Sequence, residues 1–546
     1  ISTKKVDMNM FKVVALSTLM LIASMELWAQ PANSNPLSDL RVRQAIAYAI
    51  DMDTIAATLL EGMAIAADSR IPNGPFKAPG LNQYKYNPDK SRQLLKEANW
   101  DSSQVLDLVY YYGDQLTADL MTAVQAYLAD VGIQMTFRKL EGDVGAQLNS
   151  VPKDAKNGPS AVIYNLGYGA KAALALQEYY NDFRCGRNPQ VPCDDKIDAL
   201  VDGINGTADI EKQKKAFFAI ERYMNKMLWD YPLYYQQLFI YENKRVNRNG
   251  GDYGNAQYNY RTNIVDWTVP PNKDGKMVLY SNTGPEEFFY HPWWDPGMML
   301  PQKVLLDRLI VADGSLTPKY PGMAKHYHLS DDGKTLNFVI YDGLTWHDGS
   351  PLTVEDIRWS VEFSVKTPVL GSVFRTTFES LKGVKAYKDG SASHISGITT
   401  KGKTSITFEF EKLDPNSLMT FSQWPPLPKK HLQDADPNKF QQHPYFQRPI
   451  GSGPYKIKKV EMNDYVVMVP FEDFHGGRAK IDEIVCYPSM DNDPDVIKNA
   501  RAGKLDVGFT KNVADVMSLQ KMDHMRVIPV DIPYTRILWI NQYPMK

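Results

Sequence analysis

AKHYHLSDDGKTLNFVIYDGLTWHDGSPLTVEDI, residues 324–357, is the stretch around which the chain is organised. Asp331-Asp332-Gly333 is a tight-turn signal, and the alternating run Thr335-Leu336-Asn337-Phe338-Val339-Ile340-Tyr341 predicts the outgoing strand of a hairpin. Asp342-Gly343 supplies a second turn, and Trp346-His347-Asp348-Gly349-Ser350-Pro351 then breaks the strand. Thr353 is predicted to cap a helix that carries Glu355 and Asp356 in its first turn, where the helix dipole favours negative charge. Nothing in this string is catalytic. It is a scaffold signature.

The whole chain has 546 residues, 43% hydrophobic and 23% charged, enough for two or three domains with cores of their own. A net charge of -2 with mixed signs leaves no electrostatic footprint for nucleic acid or an anionic membrane surface. There is no GxSxG, GxxxxGK[ST], HExxH or CxxC, so the common hydrolase, nucleotide-binding and metalloprotease motifs are absent. Glu286-Glu287 and Asp194-Asp195 are sequence neighbours that point in different directions, which suits a solvated turn better than paired acid–base catalysis. His326 and His328, two apart in a predicted strand, lack a local third ligand; two strand-face histidines are the plainer reading and a metal site the minority one.

Residues 8–29 have the order of a signal peptide: Lys12, the apolar run Val13–Met25, and Leu27-Trp28-Ala29 as a cleavage site before Gln30. Glu26 interrupts the run before the roughly 20 apolar residues that a spanning helix needs. Cys185 and Cys193 stand in the Gly/Pro/Asn loop FRCGRNPQVPCDD, where a disulfide is expected in an oxidising compartment; zinc would find too few ligands there. Cys486 lies in an apolar run and reads as a buried thiol. Helical spacing over 41–50, 91–98, 115–131 and 209–228 alternates with strand-like 105–111, 133–138 and 161–164. Such alternation predicts an α/β lobe with a largely parallel sheet.

The string 324–357 closely resembles the segment that identifies the family 5 extracellular solute-binding proteins, the peptide, nickel and oligosaccharide receptors of ABC importers. Pro449–Tyr455 (PIGSGPY), FHGGRAKIDEIV (474–485) and IKNARAGKLDVGF (497–509) resemble later blocks of that family, and LRVRQAIAYAIDMDTIAATLLEG (40–62), YKYNPDKSRQLLKEANW (84–100) and MLWDYPLYY (227–235) resemble its C-terminal half. The blocks that end the family sequence stand first here, so the chain reads as circularly permuted.

The resemblance implies an α/β, two-lobed periplasmic-binding-protein-like fold of the class II/cluster C type with an extra inserted domain. The expected organisation is a signal peptide (8–29), the second lobe (31–235), a return to the first lobe (236–269), a junction linker (270–275), the first lobe (276–314 and 446–546) and an inserted domain (315–445). It also implies a periplasmic, soluble, monomeric receptor without cofactor or catalysis. Such a receptor closes two lobes over a small-molecule or peptide ligand and docks on an ABC-importer permease. An oligosaccharide-binding receptor is the first alternative, followed by a nickel-binding receptor and a glycosidase-like enzyme on the same scaffold.

The expected site is an aromatic cleft at strand ends between the lobes: Ser281, Asn282, Thr283, Tyr290, Trp293 and Trp294 after the first strand, Trp424 in the inserted domain, Asn165 and Tyr168 in the second lobe, and Asn541. Peptide receptors of the family carry an Asp where this chain has Gly167-Tyr168-Gly169-Ala170-Lys171. The missing acid counts against an ordinary peptide ligand, with Glu286 or Glu287 as possible substitutes and a carbohydrate as the main rival.

Overall fold

The computed structural model describes residues 35–148, 164–173, 175–188, 190–251, 263–283, 292–294, 300–313, 317–461, 464–488 and 494–543. The expected signal peptide, 8–29, lies outside the described residues.

The hairpin expected at the opening stretch is β9 (Ala324–Leu329) paired antiparallel with β10 (Thr335–Ile340). Gly333 turns it with a φ of 68°, and a Cβ there would press on Leu413. Thr353 caps helix Val354–Ser364 in a reciprocal box, its backbone N–H donating to Asp356 at 3.0 Å. Between them, His347 ties two distant motifs together: Nδ1 accepts from the Gly451 N–H (3.1 Å) and Nε2 lies 3.0 Å from the Gly453 carbonyl. Burial pulls this imidazole down to about 4, so it stays neutral and keeps one acceptor and one donor nitrogen. Gly451 and Gly453 are glycine because a Cβ at either would collide with the carbonyls of Leu305 and Val304. With β11 (Ile398–Lys401) and β12 (Ser405–Glu409) the hairpin forms a four-stranded sheet, β11-β12-β10-β9. β7 (Ile310–Ala312) and β8 (Pro318–Pro321) form a separate pair.

The main sheet runs through both lobes. On the first-lobe side its strands are β13 (Tyr455–Glu461), β14 (Tyr465–Pro470), β15 (Glu483–Pro488), β6 (Val278–Thr283) and β16 (Val507–Thr510), with β6 parallel to β15 and β16. On the second-lobe side are β4 (Leu166–Ala172), β2 (Val105–Tyr110) and β3 (Gln134–Lys139), with β2 parallel to β3 and β4. Joining them are β5 (Asp230–Asn243) and β17 (Met525–Ile540), which lie antiparallel; β1 (Ala64–Ala66) also pairs with β5. Both long strands serve both lobes, and the register of their ladder shifts between Asp531, which pairs with Gln237, and Thr535, which pairs with Tyr235, leaving Gln236 between. Those two glutamines are the half-buried positions of an otherwise buried β5.

Helix ends follow local chemistry: Asp39 caps Leu40–Ala49, Asp114 caps Gln115–Asp130 and Asp209 caps Ile210–Met227. Of the strand expected at 161–164 only Tyr164 is described, the rest lying outside the described residues, and β4 runs over Leu166–Ala172. The Trp539 ring lies across Gly167 and Gly169, and a Cβ at either would strike it. Glycine here serves close packing inside a strand.

One contiguous core joins first-lobe residues such as Leu279, Val466 and Ile484 to Phe338, Phe408 and Phe421 of the segment expected as an insertion. A second core, with Leu108, Met121, Val124 and Leu538, belongs to the second lobe. Cys185 and Cys193 form a disulfide, and Cys486 is a buried free thiol. Among the described residues no helix is long and apolar enough to cross a membrane.

Candidate lobe-junction cleft

Three cavities line the junction between the lobes. The first, about 870 Å³ including space open to solvent, lies between Ile71–Phe76 and Phe217 of the second lobe, Pro415–Met419 of the first, and Ile532-Pro533 at the register shift. Its walls are mainly apolar, and the lobes meet beside it: Gln213 donates to the Pro415 carbonyl at 2.8 Å, and Ala175 packs with Val373 and Met419. A second cavity of about 660 Å³ adjoins it through Ala173 and is lined by Trp294, Ser372, Phe374, Glu178 and Tyr534. The third, about 760 Å³, lies where strand ends of both lobes meet, among Asp114, Tyr168, Tyr234, Gln236, Lys511 and Arg536.

Glu178 is the acid of the middle cavity. It opens a short helix, Glu178–Asn181, and makes no ion pair among the described residues. Burial pushes its carboxyl up, with the Lys171 ammonium opposing and Asp182 adding to the rise. Lys171 itself is spent on Asp182 at 2.7 Å, in a cluster where Arg70 pairs with Asp230 at 2.8 Å and stacks over Phe183. Lys171 therefore serves an internal ion pair.

Of the expected site residues the structure brings Trp294 and Tyr168 to these cavities. Trp294 is 56% exposed. Tyr168 is buried, its hydroxyl 2.9 Å from that of Tyr234, and burial raises it well above the usual phenol range. Trp293, Trp424, Ser281, Asn282, Asn165 and Asn541 line none of the three cavities. Trp293 and Trp424 are fully buried and stack on each other with centroids 5.8 Å apart, and the Trp293 indole N–H donates to the Pro425 carbonyl at 2.8 Å. These two rings anchor the core.

Ser281 is buried with its hydroxyl donating to the Val507 carbonyl (2.9 Å), and the Asn282 carboxamide accepts from the Tyr241 hydroxyl (2.6 Å). Asn165 and Asn541 lie at the end of the second-lobe sheet away from the register shift, where the Asn541 N–H donates to the Asn165 carbonyl (2.9 Å) and the Asn165 side chain accepts from the Asp107 N–H (2.8 Å). Backbone register explains this: Ile540 pairs with Leu166, whereas the junction end of β4 is Ala172, opposite Tyr534. Thr283 ends β6, and its side chain and Tyr290 lie outside the described residues, as do Glu286 and Glu287.

Glu178, Tyr534, Lys511 and Arg536 are the cleft residues that sequence reasoning missed. Arg536 and Tyr534 sit in the strand-like run DIPYTRILWI, where nothing local distinguishes a cleft residue from an ordinary strand residue.

Residues 3–188 and 319–546 match the profile of the bacterial extracellular solute-binding proteins, family 5 Middle. A putative ABC transporter peptide-binding protein of Brucella ovis is 32% identical over 147 residues, 24% of this chain and 28% of that protein. The oligopeptide-binding protein AppA of Bacillus subtilis is 22% identical over 276 residues, 49% of this chain and 47% of that one, and the dipeptide-binding protein of Escherichia coli 22% over 243 residues, 41% and 42%. The chain thus spans between about a quarter and a half of these curated relatives. Among solved structures, NikZ of Campylobacter jejuni in complex with Ni(L-His) is 21% identical, covers 42% of each chain and has a TM-score of 0.35. AppA of Bacillus subtilis in complex with a nonapeptide is 21% identical, with 42% of this chain and 43% of that one covered and a TM-score of 0.35. With most of its length matched by the family profile, the chain belongs to the bacterial extracellular solute-binding proteins of family 5.

Proposed function

We propose that this protein is the solute-binding receptor of an ABC importer, which captures an oligopeptide or similar polar organic solute between two closing lobes and delivers it to a membrane permease. The observation that carries the reading is the register shift in the ladder between β5 and β17, the two strands common to both lobes, with the three cavities arranged around it. A ligand seated there touches both lobes only when they are shut, so its binding free energy favours the closed state. No covalent step on the ligand is needed, and the receptor acts after export to the periplasm.

Peptide is favoured within that class because Glu178, which makes no ion pair among the described residues, places a carboxylate at the cleft. The names of the curated relatives point the same way. A circularly permuted order is supported by contacts across the natural join: the Asn35 side chain donates to the carbonyls of Asn541 (2.6 Å) and Tyr543 (2.5 Å), and 270–276 is exposed throughout. A thermal-shift screen of di- and tripeptides against oligosaccharides and nickel tests the ligand class. Stabilisation by peptides with a free amino terminus is expected. Stabilisation by oligosaccharides or nickel alone would overturn it.

A further inference from the structure

His326 and His328 stand two apart in β9, and both side chains are exposed. Neither imidazole has a hydrogen bond, ion pair or ring contact among the described residues. β9 is the edge of the four-stranded sheet, paired on one side only, with β10. The register shift in that ladder falls between Val339 and Ile340, before His326 is reached along β9, so the pairing beyond it is regular: His326 opposite Val339, Tyr327 opposite Phe338 and His328 opposite Asn337. Leu336, Phe338 and Ile340 are the buried positions of β10, so the two histidines share the outward face with Asn337 and Val339.

Asn337 brings an oxygen to the same place. Its Nδ2 donates to the Thr407 hydroxyl at 2.8 Å and to the Ser405 hydroxyl and the Ile406 carbonyl at 3.3 Å, all on β12. With the nitrogen turned to β12, Oδ1 is left on the β9 side, across from His328, and it accepts no hydrogen bond among the described residues. Imidazoles rooted about 7 Å apart on one face of a strand can turn to a common point about 2 Å from a nitrogen of each, and a residue directly opposite is rooted about 5 Å away. Such a set of imidazole nitrogens and an amide oxygen suits a late first-row divalent ion, and copper(II) leads that series in affinity and takes tetragonal N,O surroundings. Among the described residues no three His, Cys, Asp or Glu side chains gather around one point, so the remaining coordination positions here fall to solvent.

We propose that His326 and His328 chelate a copper(II) ion on the outer face of the four-stranded sheet, with Oδ1 of Asn337 as a weaker third ligand. None of the three residues lines a junction cavity, so the site is independent of the receptor reading.

The test adds copper(II) alone to the full chain as wild type, His326→Ala, His328→Ala and the double variant, read by calorimetry in a non-chelating buffer and by electron paramagnetic resonance. Both positions are exposed, so the variants are expected to melt with the wild type. The wild type is expected to bind one copper(II) with hyperfine coupling to two imidazole nitrogens, and zinc(II) more weakly at the same place. Each single variant should lose at least about tenfold in affinity and show one nitrogen, and the double variant should lose the site. Copper binding that is equal in the wild type and the double variant, a wild-type spectrum without two nitrogens, or tighter binding of zinc(II) than of copper(II) would overturn the proposal. A wild type that binds copper(II) in this way but no peptide leaves the metal site standing and removes the peptide reading. In the double variant, the nickel arm of the ligand screen reports on the cleft without the histidine pair.

Discussion

Replacing Glu178 by Gln removes a carboxylate that lines the middle cavity while keeping the shape of the side chain. The side chain makes no ion pair among the described residues, so the unbound protein loses no structural partner, and the burial penalty on the charged form is relieved. A ligand ammonium, in contrast, loses a charge-assisted hydrogen bond in a water-poor cleft, worth about 1.5–3 kcal/mol, or roughly 10–150-fold in Kd. The assay is calorimetric titration of trialanine and N-acetyl-trialanine. The free amine is expected to bind the wild type better by that factor, and the two peptides to become nearly equal in the variant. The sign of the pH dependence follows from the raised carboxyl: the ionised form is needed, so affinity falls as pH drops through a value above the ordinary glutamate range. Unchanged trialanine affinity in Glu178→Gln, or equal affinity of the wild type for the acetylated peptide, would refute the reasoning.

The adjacent tryptophans should respond in opposite ways. Trp293→Ala leaves a hole beside Trp424 and is expected to destabilise the fold by about 3–5 kcal/mol, whereas Trp294→Ala should weaken ligand binding by about 1–3 kcal/mol with the melting temperature of the free protein nearly unchanged; denaturant unfolding and calorimetry separate the two. Glu221 is buried, accepts from the Ser69 hydroxyl and the Ala78 N–H, and is pushed up to about 8 by burial. Its folded form therefore holds a proton that the unfolded chain releases near pH 4.5, so stability should fall by up to a few kcal/mol as pH rises from about 4.5 to 8. Glu221→Gln should flatten that slope in thermal scans, and an unchanged slope would exclude the assignment. Thiol titration of denatured, unreduced protein should count one free cysteine, Cys486, and three would exclude the Cys185–Cys193 bond.

Much of the scaffold was legible because its signals are local. The turn at Gly333, the Thr353 cap and the aspartates that cap the second-lobe helices act within a few residues, so sequence alone places them. The exception, β4, depends on Trp539, a residue hundreds of positions away whose ring makes glycine the right strand residue at 167 and 169. The cleft was less legible for the same reason. Trp293 and Trp294 are neighbours with the same chemistry, and only tertiary packing sends one into the core and leaves the other open. Glu178 matters because no described residue forms an ion pair with it, and an absent partner leaves no mark in a sequence.

Closure about the β5 and β17 pair is the central claim. The direct measurement is the distance between spin labels placed at exposed Lys96 in the second lobe and exposed Lys401 in the first, with the protein free and then saturated with the peptide that gives the largest thermal shift. A shift of the distance distribution to a shorter and narrower one on binding is expected. A distribution that peptide, sugar and nickel all leave unmoved would contradict a receptor that closes about β5 and β17.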